Sequence, residues 1–221
     1  MTKLSDSKLT ARMLLEIGAI NFNIEKPYSL SSGFLSPSYI DCRKIISYPK
    51  VRRKIIELMV KTIEREIGPK VIQYIIGGET AGIPFATLAA EKLEVPMSYV
   101  RKKAKNYGKN KLIEGEILIK KECLLIEDLM TDGKSKIDFL LKIREHNITC
   151  RHGLVIFNYD IFPETKSSLK ENKIEMHYLA TWKDVYDQLI STASFDNSIT
   201  KQIKNFIDDP IGWSESRKKL G

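Results

Sequence analysis

At 221 residues and 43% hydrophobic content, the chain can bury one substantial core, and a single domain with small terminal additions is expected. There is no run of about 18 apolar residues for a membrane span, and the polar start MTKLSDSK lacks the apolar core of a signal peptide, which predicts a soluble, cytoplasmic protein with no membrane partner. The net charge of +8 invites a nucleic-acid partner, but residues 101–111, RKKAKNYGKNK, hold six basic residues and no acid, leaving +2 for the rest. Charge gathered in one glycine-bearing loop suits a small anion and not a nucleic-acid groove.

In chain order, residues 6–18 place Leu9, Met13, Leu14 and Ile17 at helical spacing and end at a glycine, predicting an amphipathic helix. Residues 21–41 hold short extended pieces around Ser32-Gly33 and Ser36-Pro37, where glycine and proline forbid a long helix. Such a segment makes a cap better than a core. A helix is expected from Pro49 to about Ile67, with Val51, Ile55, Leu58, Met59 and Ile63 as its apolar stripe and Gly68-Pro69 as its stop. There follow a strand over 71–76, a turn over 77–82, a helix over 83–93 and a strand over 97–100 that runs into the basic loop. Beyond a strand at 123–126 and a helix at 135–144, the pattern predicts a strand at 153–157, a helix near 164–171 and a strand at 174–179. Two short helices, 182–190 and 199–207, close the series. This alternation predicts an α/β fold with a parallel central sheet flanked by helices. Residues 1–45 would add a helix and a small hood, and 181–221 a helical extension, to one domain spanning 1–221.

Cys42, Cys123 and Cys150 are odd in number and widely spaced, so free thiols are expected. His146, His152 and His177 are scattered and read as surface or core histidines.

Residues 123–136, CLLIEDLMTDGKSK, carry the strongest chemical signal. Leu124, Leu125 and Ile126 read as a buried parallel strand. Glu127 and Asp128 stand where that strand leaves the sheet, Leu129 and Met130 follow, and Thr131, Asp132, Gly133, Lys134 and Ser135 form a small polar turn opening into a helix. Open α/β sheets seat ligands beyond the carboxyl ends of their strands, and a helix start offers unpaired N–H groups to a phosphate. Two acids beside such a turn suit the hydroxyls of a sugar phosphate or a metal. The plainer alternative makes Asp128 and Thr131 turn and cap residues. The turn at 77–86, GGETAGIPFA, lets backbone N–H groups approach an anion closely, or simply connects a strand tightly to a helix.

The 123–136 segment resembles the phosphoribosyl diphosphate motif of the type I phosphoribosyltransferases, in which an apolar strand ends in two acids and a Thr/Gly/Ser phosphate loop. The resemblance implies that Thr131 to Ser135 hold the 5′-phosphate, and that Glu127 and Asp128 meet the ribose hydroxyls and support positive charge at the anomeric carbon. It puts Thr80, Ala81 and Gly82 on the pyrophosphate. Arg101, Lys102 and Lys105 have the spacing of the catalytic loop of orotate phosphoribosyltransferases. Cations there would stabilise the departing pyrophosphate in the transition state, and a closing loop would exclude water. Residues 28–41, YSLSSGFLSPSYID, are similar to that family's hood, with Ser32 beside the substrate. Residues 157–164 (FNYDIFPE), 179–185 (LATWKDV) and 209–213 (DPIGW) resemble one bacterial branch of it.

Several positions depart from the family pattern. Ser31 and Ala81 stand where many members carry lysine, Tyr107 replaces a histidine, and Asn158 and Tyr159 lie near the usual orotate-binding arginine. The resemblance implies transfer of phosphoribosyl to orotate, giving orotidine 5′-monophosphate and pyrophosphate in pyrimidine synthesis. It also implies Mg²⁺ held mainly by substrate and water, and a homodimer with shared active sites. The alternatives are another base on the same chemistry, or a regulator that senses phosphoribosyl diphosphate and contacts nucleic acid. For the latter, no helix-turn-helix or basic recognition helix is visible.

Overall fold

The computed structural model describes residues 4–30, 32–103, 112–192 and 196–218. Helix α1, Asp6–Glu16, starts where the Ser5 hydroxyl accepts the Lys8 N–H at 3.3 Å, a side-chain cap on an otherwise unpaired donor. Short strands β1 (Ile20–Phe22), β2 (Tyr28–Ser29), β3 (Leu35–Ser36) and β4 (Ser38–Ile40) make two antiparallel pairs, β1 with β4 and β2 with β3. Helix α2, Pro49–Thr62, begins with proline in its first turn and runs into a π-helical turn, Ile63–Ile67, that stops at Gly68 with φ 111°.

The central sheet has six strands in the order β10-β9-β8-β5-β6-β7: β5 Tyr74–Gly78, β6 Met97–Val100, β7 Ile113–Glu114, β8 Glu122–Met130, β9 Thr149–Asn158 and β10 Glu175–Thr181. All neighbours are parallel except β7, which pairs antiparallel with β6 at the edge. Helices α3 (Gly82–Leu93), α4 (Lys134–Arg144), α5 (Pro163–Glu171) and α6 (Trp182–Thr192) connect or follow the strands, and α7 (Asn197–Asp208) and α8 (Pro210–Lys218) complete the set. The strand alternation divides β8 between two cores. Leu124 and Ile126 pack with residues of α1, α2, α3 and α6, whereas Cys123 and Leu125 pack with Phe139, Leu140 and Ile143 of α4. All three cysteines are buried and free. Among the described residues no helix is long and apolar enough to cross a membrane.

The structure differs from expectation at several points, among them β9, which starts at Thr149 and not at residue 153. Strand β5 starts at Tyr74, three residues late, and takes in Gly77 and Gly78; Gly77 lies so close to α3 that a Cβ there would sit 3.0 Å from the Ala86 methyl. Strand β8 continues through the two acids to Met130 because β9 pairs with it that far. The two-residue β7 and the helix α8 carry too short a periodic pattern to stand out in sequence. His152 and His177, expected to be scattered, meet across β9 and β10 with ring centroids 5.4 Å apart.

The tail segments converge behind the hood. Fully buried Trp182 packs edge-on against Phe157, Tyr159 and Phe206 at 5.7, 5.8 and 6.5 Å, and Phe34 of the hood stacks on Phe162 at 5.4 Å. The Leu35 N–H donates to the Ser214 hydroxyl of α8 at 2.9 Å. The 157–164, 179–185 and 209–213 segments thus build one aromatic wedge that fixes the hood to the sheet, with edge-to-face geometry that aromatic rings favour.

Candidate active site

A cleft of about 770 Å³ opens at the carboxyl ends of β5 and β8, between the sheet and the hood. This is where an open α/β sheet seats its ligand. Its lining includes Glu127, Asp128, Leu129, Thr131, Asp132 and Ser135 from β8 and the turn after it, Glu79, Thr80 and Ala81 from the turn after β5, and Ser29, Leu30, Tyr39 and Arg43 from the hood side.

Glu127 is 5% exposed and both its oxygens are engaged. Oε1 accepts the Gly82 N–H at 3.1 Å, and Oε2 accepts from Lys136 Nζ at 2.8 Å. Burial pushes this carboxyl above the usual range, with the Lys136 charge opposing the shift. The neighbouring glycines answer to the same side chain. A Cβ on Gly78 would fall 2.5 Å from Glu127 Oε1, and one on Gly82 would fall 2.3 Å from the Ile126 carbonyl oxygen. Asp128 is also pushed up by burial, again opposed by Lys136. It lines the cleft beside Glu127 but, unlike Glu127, has no ion pair within 4 Å among the described residues.

Gly133, with φ 79°, turns the chain from β8 into α4, a conformation glycine adopts without strain. The Asp132 carboxylate accepts the Lys134 N–H at 3.2 Å, and its carbonyl oxygen accepts from the Thr165 hydroxyl at 3.1 Å. The start of α4 is thereby brought to the cleft, an end of the helix that favours anions. In the other turn, the Glu79–Thr80 peptide bond is cis. Glu79 accepts the Lys102 N–H at 2.9 Å and lies 3.4 Å from the Arg101 guanidinium, whose other side is 3.6 Å from Glu114.

The residues picked out from the sequence therefore separate. Thr80, Ala81, Lys102, Glu127, Asp128, Leu129, Thr131, Asp132 and Ser135 share the cleft lining. Arg101 stands between two carboxylates off that lining, Met130 is buried in the core, Gly82 spends its N–H on Glu127, and the Lys134 side chain is 84% exposed. Gly133 shapes the turn without lining the cleft. The Ser32 hydroxyl is buried with no hydrogen-bond partner among the described residues. Lys105, Tyr107 and Ser31 lie outside the described residues.

A phosphoribosyl transferase domain matches residues 44–158. A protein of Ruegeria sp. (strain TM1040) named orotate phosphoribosyltransferase is 51% identical over 213 residues, which cover 96% of this chain and 94% of that one. The chain belongs to the orotate phosphoribosyltransferase family. It is a pentosyltransferase by that membership. Two solved structures share its fold: orotate phosphoribosyltransferase from Aeropyrum pernix, at TM-score 0.71 and 24% identity over 82% of this chain and 98% of that one, and UMP synthase from Leishmania donovani, at TM-score 0.78 and 22% identity over 92% of this chain and 42% of that one.

For a member of the orotate phosphoribosyltransferase family, two cleft residues escaped the sequence reading. Arg43 donates from Nε to Asp41 at 2.6 Å and from a terminal nitrogen to the Tyr39 hydroxyl at 3.0 Å. The signal was Tyr39-x-Asp41-x-Arg43, an alternation that sets the three side chains within reach of one another as the hood strand ends. Lys136 is 8% exposed and shares the buried face of α4 with Phe139, Leu140 and Ile143. A lysine three, four and seven residues before apolar positions sits on the buried stripe, where a charge needs a partner.

Proposed function

We propose that this cleft transfers the phosphoribosyl group of phosphoribosyl diphosphate to a ring nitrogen of orotate, giving orotidine 5′-monophosphate and pyrophosphate in pyrimidine synthesis in the cytoplasm. The observation that carries this reading is the identity running over 96% of the chain, hood and tail included. The bond from the anomeric carbon to pyrophosphate oxygen breaks, the carbon–nitrogen bond forms and the attacking ring nitrogen gives up its proton to the departing pyrophosphate or water, so no protein nucleophile is required. Positive charge grows on the ribose and negative charge on the leaving group.

Thr131, Asp132, Gly133 and Ser135, with the start of α4, hold the 5′-phosphate. Asp128 meets the ribose hydroxyls and supports the growing positive charge, while Glu127, committed to Lys136 and Gly82, fixes the floor beneath it. Thr80, Ala81 and Lys102 face the pyrophosphate, with Arg101 and Lys105 joining them when the loop closes. The cations among the cleft-lining residues are Arg43, Lys102 and Lys136. Among the described residues, Lys136 is buried against Glu127 and Lys102 adjoins the pyrophosphate turn, whereas Arg43 lies on the hood side, oriented by Asp41 and Tyr39, and is assigned to pair with the carboxylate of orotate.

Mg²⁺ suits this donor set. Asp128 is a half-buried carboxylate that lines the cleft with no ion pair within 4 Å among the described residues, and Mg²⁺ needs one or two carboxylates alongside waters and substrate phosphates. Bound there, it would neutralise charge on the pyrophosphate. The protein acts as a homodimer in which Lys105 of each basic loop serves the partner's site while Lys102 lines its own cleft, and it needs no nucleic acid. The test is purified protein with phosphoribosyl diphosphate, Mg²⁺ and a panel of bases: orotate is consumed while hypoxanthine, adenine and uracil stay essentially untouched, and excess chelator stops turnover. Equal use of hypoxanthine would overturn the base assignment.

A further inference from the structure

Away from the cleft, one face of the sheet edge gathers a second set of chemically active side chains. Glu175 stands opposite His152 in the β10–β9 register, and His177 lies two residues further along β10, so alternation turns all three side chains to the same face. His152 Nδ1 is 3.3 Å from His177 Nε2 and 3.6 Å from Glu175 Oε2, and the three donor atoms lie within 4.8 Å of one another. In a tetrahedral site with metal–ligand bonds near 2.05 Å, neighbouring donors are ~3.3 Å apart. The histidine nitrogens already stand at that spacing.

The support around them fits a metal as well. His177 is 4% exposed, and its other nitrogen, Nδ1, meets Glu66 Oε2 at 2.9 Å. The second oxygen of Glu66 accepts from Arg65 at 2.6 Å, which holds the carboxylate in place. A carboxylate taking the far N–H of a ligating histidine fixes the tautomer that leaves Nε2 bare, a recurring arrangement behind metal ligands. Glu66 belongs to the π-helical turn that ends α2, a local irregularity often found at functional positions. Glu175, with its side chain 65% exposed, leaves the site open to solvent. His152 pairs with Leu124 of β8, four residues before Asp128, so the cluster lies ~13 Å back along the strands from the cleft.

We propose that His152, His177 and Glu175 bind a divalent transition ion of the zinc class, with water in the fourth position and Glu66 positioning His177. Two imidazoles and one carboxylate are a borderline donor set that suits Zn²⁺ and not Mg²⁺, which prefers oxygen alone. This site is separate from the Mg²⁺ chemistry of the cleft. The ion would pin the start of β10 to β9 and to the end of α2.

The test is equilibrium dialysis of the whole protein against Zn²⁺ with millimolar Mg²⁺ present, followed by metal analysis, and Co²⁺ titration read by its visible absorption. One Zn²⁺ per chain should be retained, and Co²⁺ should give the strong visible bands of a tetrahedral site. His152→Ala and Glu175→Ala should each abolish both signals. Glu175 is exposed, so its variant tests the ligand without disturbing the core. Glu66→Gln should weaken binding about 10–100-fold, and Asp128→Asn should leave it unchanged. Absence of stoichiometric Zn²⁺ in the wild-type protein, or equal retention by the His152 and Glu175 variants, would overturn the proposal and leave His152 and His177 as a simple hydrogen-bonded pair.

Discussion

Lys136 and Glu127 form a buried ion pair beneath the cleft, Nζ to Oε2 at 2.8 Å, with side chains 10% and 7% exposed. Removing one partner leaves the other charge buried and uncompensated, which costs about 3–5 kcal/mol. Lys136→Met is therefore expected to lower unfolding stability by about that amount in urea titrations. Adding Glu127→Gln should recover a large part of the loss, because a neutral amide still accepts the Gly82 N–H. A single Lys136→Met variant as stable as wild type would show that the pair contributes nothing.

Asp128 links stability to pH in a direction that can be worked out. Burial holds its folded-state pKa above the ordinary aspartate value, so the folded chain binds the proton more tightly than the unfolded one. The protonated acid thus favours the fold; that contribution is full below the unfolded pKa and is lost as pH rises through the raised value. Asp128→Asn, which cannot ionise, should raise the melting temperature of the ligand-free protein at pH 7, with the advantage shrinking as pH falls toward about 4. In the same variant kcat should fall about a hundredfold or more, since the lost charge opposes charge that develops at the transition state. A variant that melts lower than wild type at pH 7 would contradict the argument.

Gly82 tests what the glycines of the 77–82 segment are for. A Cβ there would lie 2.3 Å from the Ile126 carbonyl oxygen and 2.7 Å from Glu127 Oε1. Gly82→Ala should destabilise by about 1–3 kcal/mol or more, as overpacked interiors do. If the glycine served only to let pyrophosphate approach, the alanine variant would keep its stability and lose only binding, a separation that thermal melts and phosphoribosyl diphosphate titrations measure directly.

The elements with a long periodic pattern were legible in the sequence, including α1, α2 and α4, and so was the βα alternation that implies a parallel sheet. The segment at 123–136 was legible as a strand ending in two acids and a polar glycine turn, and its Glu127, Asp128, Thr131, Asp132 and Ser135 line the cleft. What escaped depends on contacts between distant segments. The length of β8 is set by its pairing with β9, which composition alone does not display. Glu127 looked equivalent to Asp128, yet Lys136 and Gly82 claim both its oxygens. The aromatic residues of the tail were read as family markers, and their physical role emerges only where Trp182, Phe206 and Trp213 meet behind the hood.

Arg43 gives a specificity prediction. Arg43→Ala should raise the KM for orotate about tenfold or more, in keeping with a lost hydrogen bond to a charged group, and leave the KM for phosphoribosyl diphosphate nearly unchanged. Arg43→Lys should restore only part, because an ammonium cannot reproduce the planar fork. An equal rise in both constants would mean that Arg43 supports the hood and does not touch the base.

The last prediction concerns assembly. In a twofold dimer whose basic loop reaches into the partner's site, each site draws its loop from one chain and its core from the other. Pairing a Lys105→Ala chain with an Asp128→Asn chain then produces one site with both defects and one with neither. Each homodimer alone would be nearly inactive. Mixed under conditions that exchange subunits, the two variants should regain activity, with each mixed dimer supplying about half that of a wild-type dimer. If the loop served its own subunit, every site in the mixed dimer would keep one defect and no activity would return. Failure to recover, with exchange established by mass-tagged subunits, would place Lys105 at the site of its own chain, whose cleft Lys102 already lines.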